Sequence, residues 1–91
     1  MEKKIRANLI YNPTSGQIWS PFKPELVHDY LSKKGWDLTI SKTEHQGDGT
    51  RLAHLSVKEK YDIVIAAGGD GTINEVVQGL AGSNTILQFY R

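Results

Sequence analysis

Cysteine is absent from this sequence of 91 residues. The chain therefore has no disulfide framework, no thiolate metal site and no cysteine nucleophile, and it is compatible with a reducing, cytoplasmic setting. An excess of charge of one sign is also lacking, because 11 Lys and Arg residues face 10 Asp and Glu residues and leave a net charge of +1. This balance argues against a nucleic-acid partner that is bound by neutralising its phosphates.

Long hydrophobic runs are missing as well. The longest one, Ile63–Ala67, is too short for a membrane-spanning helix or for the core of a signal peptide. Hydrophobic residues still make up 38% of the chain, a share typical of globular proteins rather than disordered ones. The length suits one small domain.

Strand and helix patterns alternate along the chain. Period-2 and continuous apolar runs predict strands at residues 5–11, 36–41, 61–67 and 85–91. Helical spacing predicts helices over residues 24–34, over residues 50–60, and between the glycine-rich turn at residues 68–71 and Gly82. The residues expected to face inward from the first and third helices are Leu26, Val27, Tyr30, Leu31, Ile73, Val76, Val77 and Leu80. Leu52, Ala53 and Leu55 of the second helix are expected to be partly inward.

This β-α-β-α-β-α-(β) order predicts an α/β fold, a three-layer, open and mostly parallel sheet with crossover helices on its faces. The run at residues 61–67 is apolar throughout, which is typical of a central parallel strand that is covered on both sides.

Two segments of glycine and small polar residues follow predicted strands. They are Asn12-Pro13-Thr14-Ser15-Gly16 and Gly68-Gly69-Asp70-Gly71-Thr72. Ligands of open α/β sheets bind beyond the carboxyl ends of the strands, and a glycine-rich turn that opens a helix offers backbone amides to an anion. Both segments therefore indicate a site for phosphate groups.

Standard phosphate motifs do not account for these turns. The chain has no Gly-Lys-Ser/Thr tripeptide of a Walker A loop, and Asn74 stands where the third glycine of the dinucleotide fingerprint belongs. Asp70 would repel phosphate by itself, so its carboxylate indicates a metal ion, a ribose hydroxyl or a hydroxyl to be activated. The alternative is that Asp70 caps the following helix.

A family resemblance rests on the segment 12–16, on Thr43 with Gly47-Asp48, and on the segment 68–77 followed by Gly79-Leu80. These residues resemble the diacylglycerol kinase catalytic domain, especially the bacterial soluble lipid kinases, and the N-terminal part of the fold shared with NAD kinases. Gly-Gly-Asp-Gly-Thr alone also occurs in NAD kinases, whereas Asn74-Glu75 and the early Asn-Pro-x-Ser-Gly segment favour the lipid kinase branch.

The resemblance implies an enzyme that transfers the γ-phosphoryl group of ATP, with Mg²⁺, to diacylglycerol or a related lipid alcohol at a membrane surface. It implies a cytoplasmic protein that works at the inner face of the membrane. Asp70 is the expected catalytic residue, and no residue is assigned as a metal ligand. The expected nucleotide contacts are Asn12, Pro13, Thr14, Ser15, Gly16, Thr43, Gly68, Gly69, Asp70, Gly71, Thr72, Ile73, Asn74 and Glu75.

Family members continue beyond the strand near Thr85 into a Pro-x-Gly-Thr segment and a β-rich domain. We therefore expect residues 1–91 to be an incomplete N-terminal nucleotide-binding domain that is inactive by itself, with an exposed sheet edge that favours a homodimer. Two alternatives stay open at this point: an NAD-kinase-like enzyme, and a non-catalytic nucleotide-binding or interaction module.

Overall fold

A computed structural model describes residues 4–13 and 23–90 of the chain. The elements in chain order are β1 (Arg6–Tyr11), α1 (Pro24–Lys33), β2 (Asp37–Lys42), α2 (Asp48–Lys58), β3 (Ile63–Ala67), α3 (Asp70–Leu80) and β4 (Ile86–Tyr90). The predicted α/β alternation is confirmed, including the fourth strand. Pro24 begins α1 as expected, because its missing N–H is not needed in the first turn of a helix.

The four strands form one parallel sheet in the order β2-β1-β3-β4. At the carboxyl ends of the strands, Tyr11 pairs with Lys42 on one side and with Ala67 on the other, and Ala67 pairs with Tyr90. The connection that leaves β1 leads to β2 on one side of β1, and β3 lies on the other side of β1. The strand order therefore reverses between β1 and β3, which is where open α/β sheets form a ligand crevice.

Helices cover both faces of the sheet, which gives the predicted three layers. Alternation along β3 sends Ile63 and Ile65 to the face of α1, where they pack with Leu9 and Leu31, and sends Val64 to the opposite face. On that second face the core consists of Ile10, Ala53, Val64, Ala66, Val76 and Leu80 from β1, β3, α2 and α3. All five residues of β3 are buried, so its prediction as a central strand is confirmed.

The inward face of α1 is narrower than its hydrophobic spacing predicts. Val27 and Leu31 pack against the core as expected, but Leu26 and Tyr30 are 63% and 61% exposed, so the prediction for these two residues is wrong. The cause is the position of α1 against β2, an edge strand that touches only one stripe of the helix.

The inward prediction for Val77 in α3 is also wrong, since this residue is 45% exposed, whereas Leu55 in α2, expected to be partly inward, is 39% exposed. The two helices meet along a seam of small residues instead. A Cβ added to Gly79 would lie 2.7 Å from the Cβ of Ala53 and would overlap the carbonyl oxygen of Thr50. Because the helices approach this closely, larger side chains are displaced from the seam to the surface.

The bounds of α2 are shifted by two residues from the predicted range 50–60. Gly47 takes a left-handed conformation, with a φ of 92°, and the helix begins directly after it. At the other end, Lys60 follows the last turn of the helix with a φ of 63°, and among the described residues it is the one non-glycine with a positive φ. Both ends are therefore set by backbone reversals that the hydrophobic spacing does not encode.

A buried polar chain joins β2, β1 and α2. Ser41 Oγ donates to Asn8 Oδ1, Asn8 Nδ2 donates to Ser56 Oγ, and Ser56 Oγ donates to the Leu52 carbonyl, each at 2.8 Å. Ser56 is only 1% exposed. Its interruption of the apolar pattern in α2 thus reflects a polar contact with the sheet, because buried polar groups need such partners.

Candidate functional site

The loops that follow β1, β2 and β3 meet at the carboxyl edge of the sheet. The Asn12 amide donates to the Ala67 carbonyl at 3.2 Å, and the Thr43 amide donates to the Tyr11 carbonyl at 2.9 Å. Asn12 therefore lies beside the start of the glycine-rich turn, and the buried Thr43 lies on the other side of β1. Of the predicted segment 12–16, Thr14, Ser15 and Gly16 lie outside the described residues.

Gly68 makes the turn after β3 possible. Its φ is +151°, and a Cβ at this position would lie 2.9 Å from Thr72 Oγ1 and 3.1 Å from Thr72 Cβ. Thr72 is buried beneath the turn. The turn and its threonine are thus packed so closely that only glycine fits at this position.

The other two glycines of the turn, Gly69 and Gly71, have no close neighbours among the described residues where a Cβ would lie. A Cβ added to Gly69 or to Gly71 would have no neighbouring atom within 4 Å among the described residues. Both are exposed at the crevice between β1 and β3. A ligand can therefore approach the backbone closely at these two positions.

The N-terminus of α3 presents backbone amides at this edge. The first bond of the helix joins the Ile73 amide to the Gly69 carbonyl at 3.1 Å, so the amides of Asp70, Gly71 and Thr72 precede the hydrogen-bond ladder. Within the described ranges no side chain caps this helix. Unpaired amides and the positive end of the helix dipole make this position suitable for an anion.

Asp70 is exposed in the first turn of α3, and its carboxylate has no hydrogen bond or ion pair with any residue in 4–13 or 23–90. The N-cap of the helix is Gly69, so the alternative prediction that Asp70 caps α3 is wrong. The carboxylate remains available for a ligand, as the other interpretations of Asp70 require.

The remaining predicted residues of α3 point in different directions. Asn74 is exposed, whereas the side chain of Ile73 packs in the core with β3 and α2. Glu75 turns toward α2, where its Oε2 accepts from the Gly47 amide at 2.9 Å and its Oε1 accepts from the Gly49 amide at 3.0 Å. The structure thus brings Asn12, Thr43 and the turn at residues 68–72 to one edge and engages Glu75 elsewhere.

Asp48 organises the loop between β2 and α2, a role that the sequence analysis missed. Its Oδ2 accepts from the amides of Glu44 and His45 at 2.8 and 2.9 Å, and Oδ1 lies 3.5 Å from Arg51 Nη2. The pKa of the Asp48 carboxyl lies below its ordinary value of 3.8. The hydrogen bonds from the two backbone amides lower it most, and the positive charge of Arg51 lowers it less. The signal in the sequence was an aspartate at the first position of a helix, directly after Gly47.

An open groove of about 520 Å³ lies between the outer surfaces of α2 and α3. None of the predicted site residues lines it. Its charged and titratable side chains are Arg51, His54 and Lys58. In the part of the chain that the structure describes, no three His, Asp or Glu residues cluster as a metal site would require, and no helix is long and apolar enough to span a membrane.

Comparison with known proteins shows the family to which this chain is related. The sequence model of the diacylglycerol kinase catalytic domain matches residues 6–89. The chain belongs to the diacylglycerol kinase catalytic domain family. The resemblance found in the motifs is thereby confirmed.

Relatives in this family include diacylglycerol kinases of two Staphylococcus aureus strains, bovine RF122 / ET3-1 and Newman. Each is 50% identical over 78 residues, which is 84% of this chain and 24% of the relative. A crystal structure of a diacylglycerol kinase from Bacillus anthracis str. Sterne aligns with a TM-score of 0.72 at 32% identity, over 98% of this chain and 32% of that one. The predicted fold is thus confirmed, and the chain spans about a quarter of the length of the Staphylococcus aureus relatives.

Proposed function

We propose that this chain is the ATP-binding part of a lipid kinase that phosphorylates diacylglycerol or a related lipid alcohol. The observation that carries the proposal is the set of open backbone amides at the start of α3, beside Asn12 and at the point where the strand order reverses. Membership of the diacylglycerol kinase catalytic domain family supports both the nucleotide and the lipid class.

In the proposed complex, the phosphates of ATP accept hydrogen bonds from the amides of residues 70–72. Gly69 and Gly71 permit the close approach, since none of the described residues lies within 4 Å of a Cβ built at either position. Asn12 lies beside the turn after β3, and Thr43 lies at the same edge of the sheet on the other side of β1. Phosphoryl transfer depends mainly on positioning and on neutralising charge, so backbone donors that are already oriented provide much of what the reaction needs.

The donor set fits a magnesium ion that is held largely by the nucleotide. Mg²⁺ is commonly bound through one or two carboxylates together with substrate phosphates. Asp70 supplies one exposed carboxylate next to the amides, and no larger acidic cluster exists among the described residues. Asp70 is therefore the residue that would hold the ion, which when bound neutralises charge on the phosphoryl oxygens.

In the proposed reaction the lipid hydroxyl oxygen forms a bond to the γ-phosphorus of ATP. The bond between that phosphorus and the bridging oxygen breaks, ADP leaves, and the hydroxyl proton is released. Because the chain spans 24% of the length of its Staphylococcus aureus relatives, we propose that the 91-residue chain binds ATP without completing this transfer alone.

Two experiments test the proposal together. Calorimetric titration of the chain with Mg-ATP should show one site, with an affinity in the range of about 1 µM to 1 mM that is usual for enzyme substrates. A chimera in which this chain replaces the matching part of a Staphylococcus aureus diacylglycerol kinase should phosphorylate diacylglycerol. The unmodified relative is the matched control.

The outcome of these assays separates the proposal from its rivals. Absence of Mg-ATP binding would contradict it. A folded chimera that phosphorylates NAD and leaves diacylglycerol unchanged would contradict the lipid class. Labelled phosphatidic acid produced by the 91-residue chain alone would overturn the claim that it only binds the nucleotide.

A further inference from the structure

The N-terminus of α2 has no capping side chain of its own. Its N-cap residue is Gly47, in a left-handed conformation, and the first amides of a helix need partners from outside the helix ladder. Two of them find the carboxylate of Glu75, which accepts from Gly47 at 2.9 Å and from Gly49 at 3.0 Å. One carboxylate from α3 thus closes the start of α2.

The backbone around Glu75 reinforces this junction. Thr50 Oγ1 donates to the Glu75 carbonyl oxygen at 2.7 Å. A Cβ at Gly49 would lie 2.9 Å from both the Cβ and the Oε1 of Glu75, so the glycine is required for the carboxylate to reach the amides. The two helices are therefore joined by hydrogen bonds and by close packing at the same place.

Helices of a parallel α/β sheet run opposite to the strands, so α2 and α3 both begin at the carboxyl edge. Each has a positive dipole end that favours an anion. The protein supplies that anion to α2 through Glu75, whereas no side chain in the described ranges caps α3. The two neighbouring helix N-termini thus differ in whether an internal carboxylate occupies them.

We propose that Glu75 is a positioning residue rather than a nucleotide contact. Its carboxylate takes the place of an anion at α2, which leaves the amides of α3 for the phosphates of ATP. The bond to Gly47 holds the end of the loop from Thr43 to Gly47 against α3, and the start of this loop is bonded to the end of β1 at the same edge of the sheet. The inference rests on the proposed function and reassigns Glu75 within the same site.

Amide NMR of the 91-residue chain tests this directly, with Mg-ATP as the probe. Saturating Mg-ATP should shift the amide signals of Asp70, Gly71 and Thr72 and leave those of Gly47 and Gly49 within a small fraction of that change. Equal shifts at Gly47 and Gly49 would overturn the inference. Shifts at neither group would overturn the proposed function, and the cap would then be decided by the variants below.

Variants test the cap without relying on ATP. In Glu75→Ala, inorganic phosphate should shift the amides of Gly47 and Gly49, because the carboxylate no longer occupies them. In the unmodified chain and in Gln78→Ala, an exposed position one turn further along α3, the same titration should leave both signals unchanged. Identical phosphate responses of these signals in all three proteins would contradict the inference.

Glu75→Gln is the milder change and keeps the fold testable if the alanine variant does not fold. Glutamine retains one acceptor oxygen and places an NH₂ group against the other amide, so one of the two hydrogen bonds is lost. The expected result is an upfield move of the Gly47 or Gly49 amide proton and a loss of Mg-ATP affinity of roughly three- to tenfold. Unchanged amide protons would contradict the proposed cap.

Discussion

The amino and carboxyl edges of the sheet differ in whether certain polar groups have partners within the protein. At the amino edge, Arg6 Nη1 donates to the Glu59 carbonyl at 2.8 Å, and its guanidinium carbon lies 4.2 Å from the centroid of the Tyr61 ring. The Arg6 amide donates to Asp62 Oδ2 at 2.9 Å. At the carboxyl edge, the Asp70 carboxylate and the amides at the start of α3 have no side-chain partner in the described ranges.

If the proposed function holds, this difference separates residues that stabilise the fold from residues that bind the ligand. Polar groups at the amino edge satisfy one another, so substitutions there should alter folding and leave ligand binding unchanged. The open groups at the carboxyl edge are the Asp70 carboxylate and the first amides of α3, so substitutions there should alter ligand binding more than folding. Glu75 lies between these cases, since it is near the open edge but is bonded within the protein.

The largest expected effect is that of Asp70→Asn in the chimera with the Staphylococcus aureus relative. Loss of the carboxylate beside the phosphates should lower kcat for lipid phosphorylation by roughly 100-fold or more, with the free energy of unfolding unchanged. Asp62→Asn is the matched control at the amino edge and should keep its activity per folded molecule. Equal activity of the two variants would remove the contrast between the edges.

Gly68→Ala should have the next largest effect, on the free energy of unfolding. The φ of +151° and the 2.9 Å approach to Thr72 Oγ1 predict a loss of about 1–3 kcal/mol in urea denaturation. Gly71→Ala is the control. A Cβ at this helical position would have no neighbour within 4 Å among the described residues, so the change should be neutral or stabilising by up to about 1 kcal/mol. Equal stability of the Gly68→Ala variant and the unmodified chain would contradict the described turn.

Arg6→Ala tests the amino edge. It removes one hydrogen bond and the contact with the ring of Tyr61, and it should lower the free energy of unfolding by about 1–2 kcal/mol. Calorimetry should show the same affinity for Mg-ATP as the unmodified chain, within about twofold. Lys4→Ala, an exposed neighbour, is the control for charge alone, and a weakened affinity confined to Arg6→Ala would show that the two edges are coupled.

The smallest expected effect concerns the pH dependence that comes from Asp48, the first residue of α2. The folded pKa of Asp48 is lowered, so its contribution to stability is present above the ordinary value of 3.8 and is lost as the pH falls below that value. Urea denaturation between about pH 5 and pH 3 should therefore show a shallower loss of stability in Asp48→Asn than in the unmodified chain. Identical slopes would show that the Asp48 bonds do not contribute.

The fold was predictable wherever burial alone decides the pattern. Ile63–Ala67 is apolar throughout because β3 is covered on both faces, and Gly68 is required by the turn that follows. Leu26 and Tyr30 were placed inward because helical spacing does not reveal how little of α1 an edge strand covers. The loops at the strand ends were found from their glycines and from the rule for open parallel sheets.

The role of Glu75 was not predictable from the sequence. Its amide partners are 28 and 26 residues away, at Gly47 and Gly49, and they come within reach only because α2 and α3 cross closely at Gly79. Ser56 is a similar case, since its partner Asn8 lies 48 residues away. Such contacts depend on how the elements pack against one another, and the spacing of residues along one helix or strand does not reveal them.

A crystal structure of the chain with Mg²⁺ and a non-hydrolysable ATP analogue tests the central claim most directly. The account predicts phosphate oxygens at about 3 Å from the backbone nitrogens of Gly71 and Thr72, with Asp70 facing the metal ion. A phosphate chain bound instead in the groove beside Arg51 and Lys58, with the amides of α3 unoccupied, would contradict it.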